Sequence, residues 1–155
     1  MPLDRYTEAQ AGGEYERALA EIQSGCKTGH WIWYIFPQLA GLGNSSLSRR
    51  FGIRDQAEAS AYIIDPVLGP RLLEIAQAVL ARLKTGARLN RVMGSHVDAL
   101  KIMSSMTLFE AVARRVASEG QGQVAVELAR AAHEILSVAE SQGYKRCAFT
   151  LESLR

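Results

Sequence analysis

Leu72-Leu73-Glu74-Ile75-Ala76-Gln77-Ala78-Val79-Leu80-Ala81-Arg82-Leu83 is the most regular stretch of the chain. Leu72, Ile75, Ala76, Val79, Leu80 and Leu83 recur at the three- and four-residue spacing of one helix face. This predicts a core helix over 71–83, entered past Gly69 and Pro70 and stopped by Gly86. Working outward, Tyr15, Ala18, Leu19 and Ile22 carry the same spacing and predict a helix from Glu14 to Gln23, closed by Gly25. Asp55 with Glu58, and Ser95 with Asp98, read as capping boxes. The first opens a short helix, and the second opens a helix through Leu100, Met103, Leu108, Val112 and Val116. Val124, Leu128, Ala131, Ala132, Ile135 and Val138 form a last long stripe, and Thr150 reads as the cap of a terminal turn.

No segment alternates in the manner of a strand, and no Asn-Gly or Asp-Gly hairpin signal occurs. The predicted class is therefore all-α: a single compact irregular multihelical domain over 1–155, with 71–83 and 97–116 buried and apolar around their circumference. Ala11, Gly12 and Gly13 weaken helix formation, so residues 1–12 read either as a separate short helix or as a loose N-terminal arm.

The chain has 155 residues, of which 48% are hydrophobic, enough for one domain and short for two. With 18 basic and 16 acidic residues the net charge is +2, so there is no strong nucleic-acid signal and no field drawing it to a membrane. No apolar run is long enough to span a bilayer, and 1–15 is too polar for a secretion signal, so the expected location is cytoplasmic. Cys26 and Cys147 match no zinc or redox spacing and read as free thiols; no metal and no cofactor is expected. Nothing in the sequence specifies an oligomeric state.

The expected site lies at His30-Trp31-Ile32-Trp33-Tyr34-Ile35-Phe36-Pro37-Gln38, followed by Gly41, Leu42, Gly43, Asn44, Ser45 and Ser46. Both tryptophans of the chain are here, beside polar His30 and Gln38, a combination that suits a concave aromatic pocket with a few convergent polar groups. Pro37 should end any helix at Phe36 and release Gln38 into a loop. Gly41 to Ser46, leading into a helix N-terminus with Arg49 or Arg50, could hold a phosphate or be an ordinary helix-cap loop. Trp31 and Trp33 could stack on a base or simply fill the core. Farther on, Asp98, Lys101, Ser104 and Ser105 share one side of an otherwise apolar helix. They either pair among themselves or form the opposite wall of the pocket. Cys26 and His30 would make a thiolate pair only if a helix ran through Gly25 and Gly29, which glycine propensity opposes.

Lys27, His30, Trp31, Trp33, Phe36, Pro37 and Gln38, then Gly41 to Gly43, Asp65, Pro66, Leu68, Gly69 and Arg71, and finally Asp98, Lys101 and Ser104 to Phe109 resemble a bacterial domain-of-unknown-function family often labelled calpastatin-like. The resemblance spans roughly residues 15–109 and implies a small multihelical fold with no assigned activity. A calpain inhibitor acts as an extended disordered chain, which a sequence so rich in core-forming residues does not fit.

Two classes of function follow. In the first, the chain is a metal-independent hydrolase or transferase acting on a phosphate-bearing, nucleotide-like small molecule of the ADP-ribose type. His30, Asp98 and Lys101 would then be catalytic, with Lys27, Trp31, Trp33, Gln38, Gly41, Gly43, Ser45, Arg49 and Ser105 binding ligand. That choice of ligand rests on analogy with ADP-ribose-processing helical domains. In the second, the aromatic surface is a non-catalytic binding module for a peptide or protein.

Overall fold

The computed structural model describes residues 3–155. Ten helices occur among them: α1 (Asp4–Ala9), α2 (Glu14–Gln23), α3 (Ile32–Ile35), α4 (Ser46–Phe51), α5 (Gln56–Ile64), α6 (Leu68–Lys84), α7 (Leu89–Val92), α8 (His96–Ser118), α9 (Gln123–Ser141) and α10 (Ala148–Ser153). No strand forms among the described residues. A single parallel bridge joins Leu39 to Ile53, held by Ile53 N–H donating to Gln38 O at 2.9 Å and Ala40 N–H to Ile53 O at 2.8 Å. The aromatic stretch, the one place where a strand competes, resolves instead into the single turn of α3 followed by that bridge.

Helix α8 is the centre. Every residue from Ile102 to Glu110 is buried, which only a helix covered on all sides achieves, and α9 lies along it while α5, α3, α7 and α10 cover other flanks. Each fully buried Leu, Ile, Met or Phe on it contributes roughly 1.5–3 kcal/mol. Helix α6 differs from expectation. Its buried residues keep to one stripe, from Leu68 and Leu72 through Ile75, Ala76, Val79 and Leu83, which packs on α9, α2 and α5. It also starts earlier than the periodicity suggests. Asp65 Oδ1 accepts the N–H groups of Val67 and Leu68 at 2.9 Å each, so Gly69 and Pro70 fall inside the first turn, where proline's missing N–H costs nothing.

Of the expected arm, Met1 and Pro2 lie outside the described residues, and the rest contains α1. Tyr6 is fully buried, meets Tyr62 edge-on at 5.1 Å and donates its hydroxyl to Phe51 O at 2.6 Å. Thr150 does not cap the terminal turn. Cys147 occupies the N-cap of α10, and Thr150 is buried within that helix.

Candidate functional site

The polar part of the site begins where α2 ends. Glu21 Oε1 accepts the N–H groups of Thr28 and Gly29 at 2.8 Å each and Trp31 Nε1–H at 2.9 Å, so one carboxylate folds the turn between α2 and α3. Burial works against that charge, but the donors from Gly29, Thr28 and Trp31 more than offset it and hold the carboxyl below its usual range. The fold drives Trp31 inward, where it is 1% exposed and packs against Phe36. This corrects its expected stacking role, because a ring without accessible surface cannot take a ligand.

Lys27 is buried beside it. Its ammonium lies 4.9 Å from the Trp31 ring centroid, donates to Gly29 O, and stands 2.6 Å from Asp98 Oδ2. The first turn of α8 presents that carboxylate, with Ser95 Oγ accepting Asp98 N–H at 3.1 Å. The other oxygen, Asp98 Oδ1, lies 3.7 Å from Lys101 Nζ, which itself sits 5.5 Å from the centroid of the Trp33 ring. A chain of alternating charge thus runs from the buried Lys27 through Asp98 to Lys101, and it ends over the half-buried Trp33.

Trp33 and Lys101 face an open groove of about 470 Å³. Trp33, Gln38, Leu42, Gly43 and Ser45 line one side; Val97, Leu100, Lys101 and Ser104 of α8 line the other. Gln38 is placed by its own backbone, whose carbonyl takes the Ile53 N–H of the parallel bridge. Ser45 is turned to its helix, its Oγ accepting Ser48 N–H at 3.1 Å as the N-cap of α4. Of the residues expected at the site, Trp33, Gln38, Gly43, Ser45 and Lys101 therefore line the groove, with Asp98 and Lys27 behind them.

The remaining expected residues lie elsewhere. His30 is exposed and does not line the groove, because the Glu21-held turn projects it outward next to Gly29. Gly41 occupies an exposed turn against Phe149. Arg49 is exposed, and its guanidinium donates to Asn44 O at 2.5 Å. Ser105 is fully buried, turned away from the groove into the helical core. Residues 97, 100, 101 and 104 share one face by the three- and four-residue rule, so Ser104, rather than Ser105, continues from Lys101 into the groove. Val97, 59% exposed, and Leu100, 47% exposed, were missed because exposed apolar residues in a helix pattern look like part of the core stripe.

Ser104 also reaches the thiol of Cys147, at the start of α10. Burial raises that thiol's pKa, but the Ser104 and Thr150 hydroxyls and the N–H groups of Thr150 and Phe149 lower it more, leaving it below the usual value. No helix of the described residues is long and apolar enough to cross a membrane.

The family described as "Protein of unknown function (DUF1810)" matches residues 1–125, which include every residue of this groove. Among solved structures, the chain is similar to the crystal structure of the conserved hypothetical protein Rv1873 from Mycobacterium tuberculosis. The two are 33% identical over 97% of this chain and 94% of that one, with a TM-score of 0.73. No curated protein matches the chain significantly.

Proposed function

We propose, from the premise that this chain belongs to the DUF1810 family of proteins of unknown function, that the groove binds a flat, phosphate-bearing small molecule of the nucleotide or ADP-ribose type. The observation that carries this reading is Lys101, tethered by Asp98 and poised over Trp33 in the groove wall. A π-face next to a fixed cation suits a ligand with an aromatic ring close to a negative group. Gln38 and Ser104 supply neutral polar groups for a ribose or amide. The groove's volume, about 470 Å³, lies in the range of small-molecule sites.

In this reading Asp98 is a positioning residue, since each of its oxygens faces a lysine ammonium. A hydrolase or transferase step would draw on Lys101 as its acid, with Asp98 acting through Lys101 rather than on the ligand, and His30 would stand outside it. Calorimetry against ADP-ribose, NAD and nucleoside monophosphates, with Lys101→Ala and Trp33→Ala as controls, tests binding. Product analysis of the same mixtures, with Asp98→Asn as control, tests turnover. Absence of binding by all of them at millimolar concentration overturns the small-molecule reading.

The exposed Val97 and Leu100 favour a second reading in which a peptide docks against the α8 side of the groove. It gains the lead if no nucleotide binds.

A further inference from the structure

A second groove of about 470 Å³ lies across Leu100 from the first, and its chemistry is different. Arg88, His96 and Lys145 line it, together with Asn90, Gln142 and Tyr144, and no carboxylate does. Among the described residues the side chains of Arg88, His96 and Lys145 have no ion-pair or hydrogen-bond partner. Basic groups gathered without one repel each other until an anion joins them.

The groove is also held in shape. The Gln142 side chain clasps the backbone on both sides of Arg88: its Nε2 donates to Ala87 O at 3.0 Å, and its Oε1 accepts Leu89 N–H at 2.8 Å. Gly143 follows with φ +99°, a left-handed conformation that ends α9 and swings the chain back. Tyr144 is thereby set against His96, ring centroids 5.8 Å apart at 30°, and Lys145 comes next to it. Three basic side chains on three separate segments thus line one groove, the Gln142 amide fixing the backbone at Arg88, the Gly143 turn leading to Lys145, and His96 opening α8.

We infer that the Arg88–His96–Lys145 groove is a second binding site, selective for the phosphate group of a small phosphorylated molecule. Arg88 supplies a planar fork matched to phosphate oxygens, Lys145 a point charge, and Asn90 a neutral donor. The Tyr144 ring at the edge gives a surface for whatever the phosphate is attached to. The site stands independently of the proposed function, since neither Trp33 nor Lys101 contributes to it.

The test uses the full chain and two probes, inorganic phosphate and AMP, followed by amide NMR shifts of Leu89, His96 and Tyr144. Chloride at matched ionic strength is the control. Both probes should saturate these shifts and compete with each other. An Arg88→Ala/Lys145→Ala variant, altered only at exposed side chains, should weaken both by roughly tenfold or more. Trp33→Ala and Lys101→Ala should leave the phosphate-induced shifts of Leu89, His96 and Tyr144 unchanged, which separates this site from the first groove. The inference falls if neither probe binds at millimolar concentration, if the double variant binds as tightly as the native chain, or if chloride reproduces the shifts.

Discussion

Lys27 Nζ stands 2.6 Å from Asp98 Oδ2, joining the turn after α2 to the first turn of α8. The lysine side chain is 5% exposed and the aspartate side chain 17%, so each charge depends on the other for what water no longer gives. Removing one partner of a fully buried pair costs roughly 3–5 kcal/mol, and Asp98 keeps Lys101 and some solvent. Lys27→Met or Asp98→Asn alone should therefore cost about 2–3 kcal/mol in urea unfolding. The double variant should cost less than the sum by about 1 kcal/mol or more. Strict additivity would mean that the pair is not coupled.

Gly94 carries φ +82°, and a Cβ there would lie 2.4 Å from the carbonyl oxygen of Lys27. That carbonyl is backbone and cannot swing aside as a flexible side chain would. Gly94→Ala should destabilise by about 2 kcal/mol or more, from left-handed strain and the clash together. It should also displace Lys27 and with it the charge chain, so ligand affinity at the first groove falls even at temperatures where the variant stays folded. Thermal unfolding combined with calorimetry separates the two effects.

Glu21 gives a pH dependence with a definite sign. Its carboxyl is held below the usual range in the native state, so its contribution is complete above the unfolded value. That contribution is lost as the pH falls below about 4.5 and on through the lowered native value. Glu21→Gln keeps an acceptor oxygen and removes the charge. Its stability should fall less steeply than that of the native chain over the same acid range, as measured by urea midpoints at successive pH values.

Cys147 should alkylate with a pH onset below that of an ordinary thiol, because Ser104, Thr150 and the N–H groups of Thr150 and Phe149 favour its thiolate over the opposing effect of burial. Ser104→Ala should move that onset upward. The rate of iodoacetamide labelling at Cys147, resolved from Cys26 by mass spectrometry, measures it. An onset unchanged by Ser104→Ala would show that the serine does not reach the thiol.

The helices were legible because their apolar spacing and N-caps are local signals. Ser95 and Asp55 accept the N–H three residues on, as their capping boxes predict. The other half of each box was not legible. Glu58 sends its carboxylate to Arg5 as well as to nearby Arg54, and Asp98 sends its own to Lys27 as well as to Lys101 one turn on; Arg5 and Lys27 are distant in sequence, and no local pattern reports them. The same limit explains the site. Trp33, Gln38 and Lys101 were identifiable as aromatic or polar groups in apolar surroundings, and they meet in the groove. Which tryptophan faces out was decided by Glu21, whose three hydrogen bonds, to residues seven to ten positions on, turn Trp31 inward and His30 outward. Gln142 clasping the Arg88 backbone is a contact over more than fifty residues, and no spacing rule reports it.

Trp33 fluorescence during titration with ADP-ribose tests the first groove most directly, because Trp31 is buried and serves as an internal reference. Native protein should show saturable quenching, Trp33→Phe should lose it, and Lys101→Ala should weaken it by roughly tenfold, the loss of one charge-assisted contact. No quenching at millimolar ADP-ribose, or the same saturable quenching in Trp33→Phe, would contradict a ligand held by Trp33 and Lys101 together.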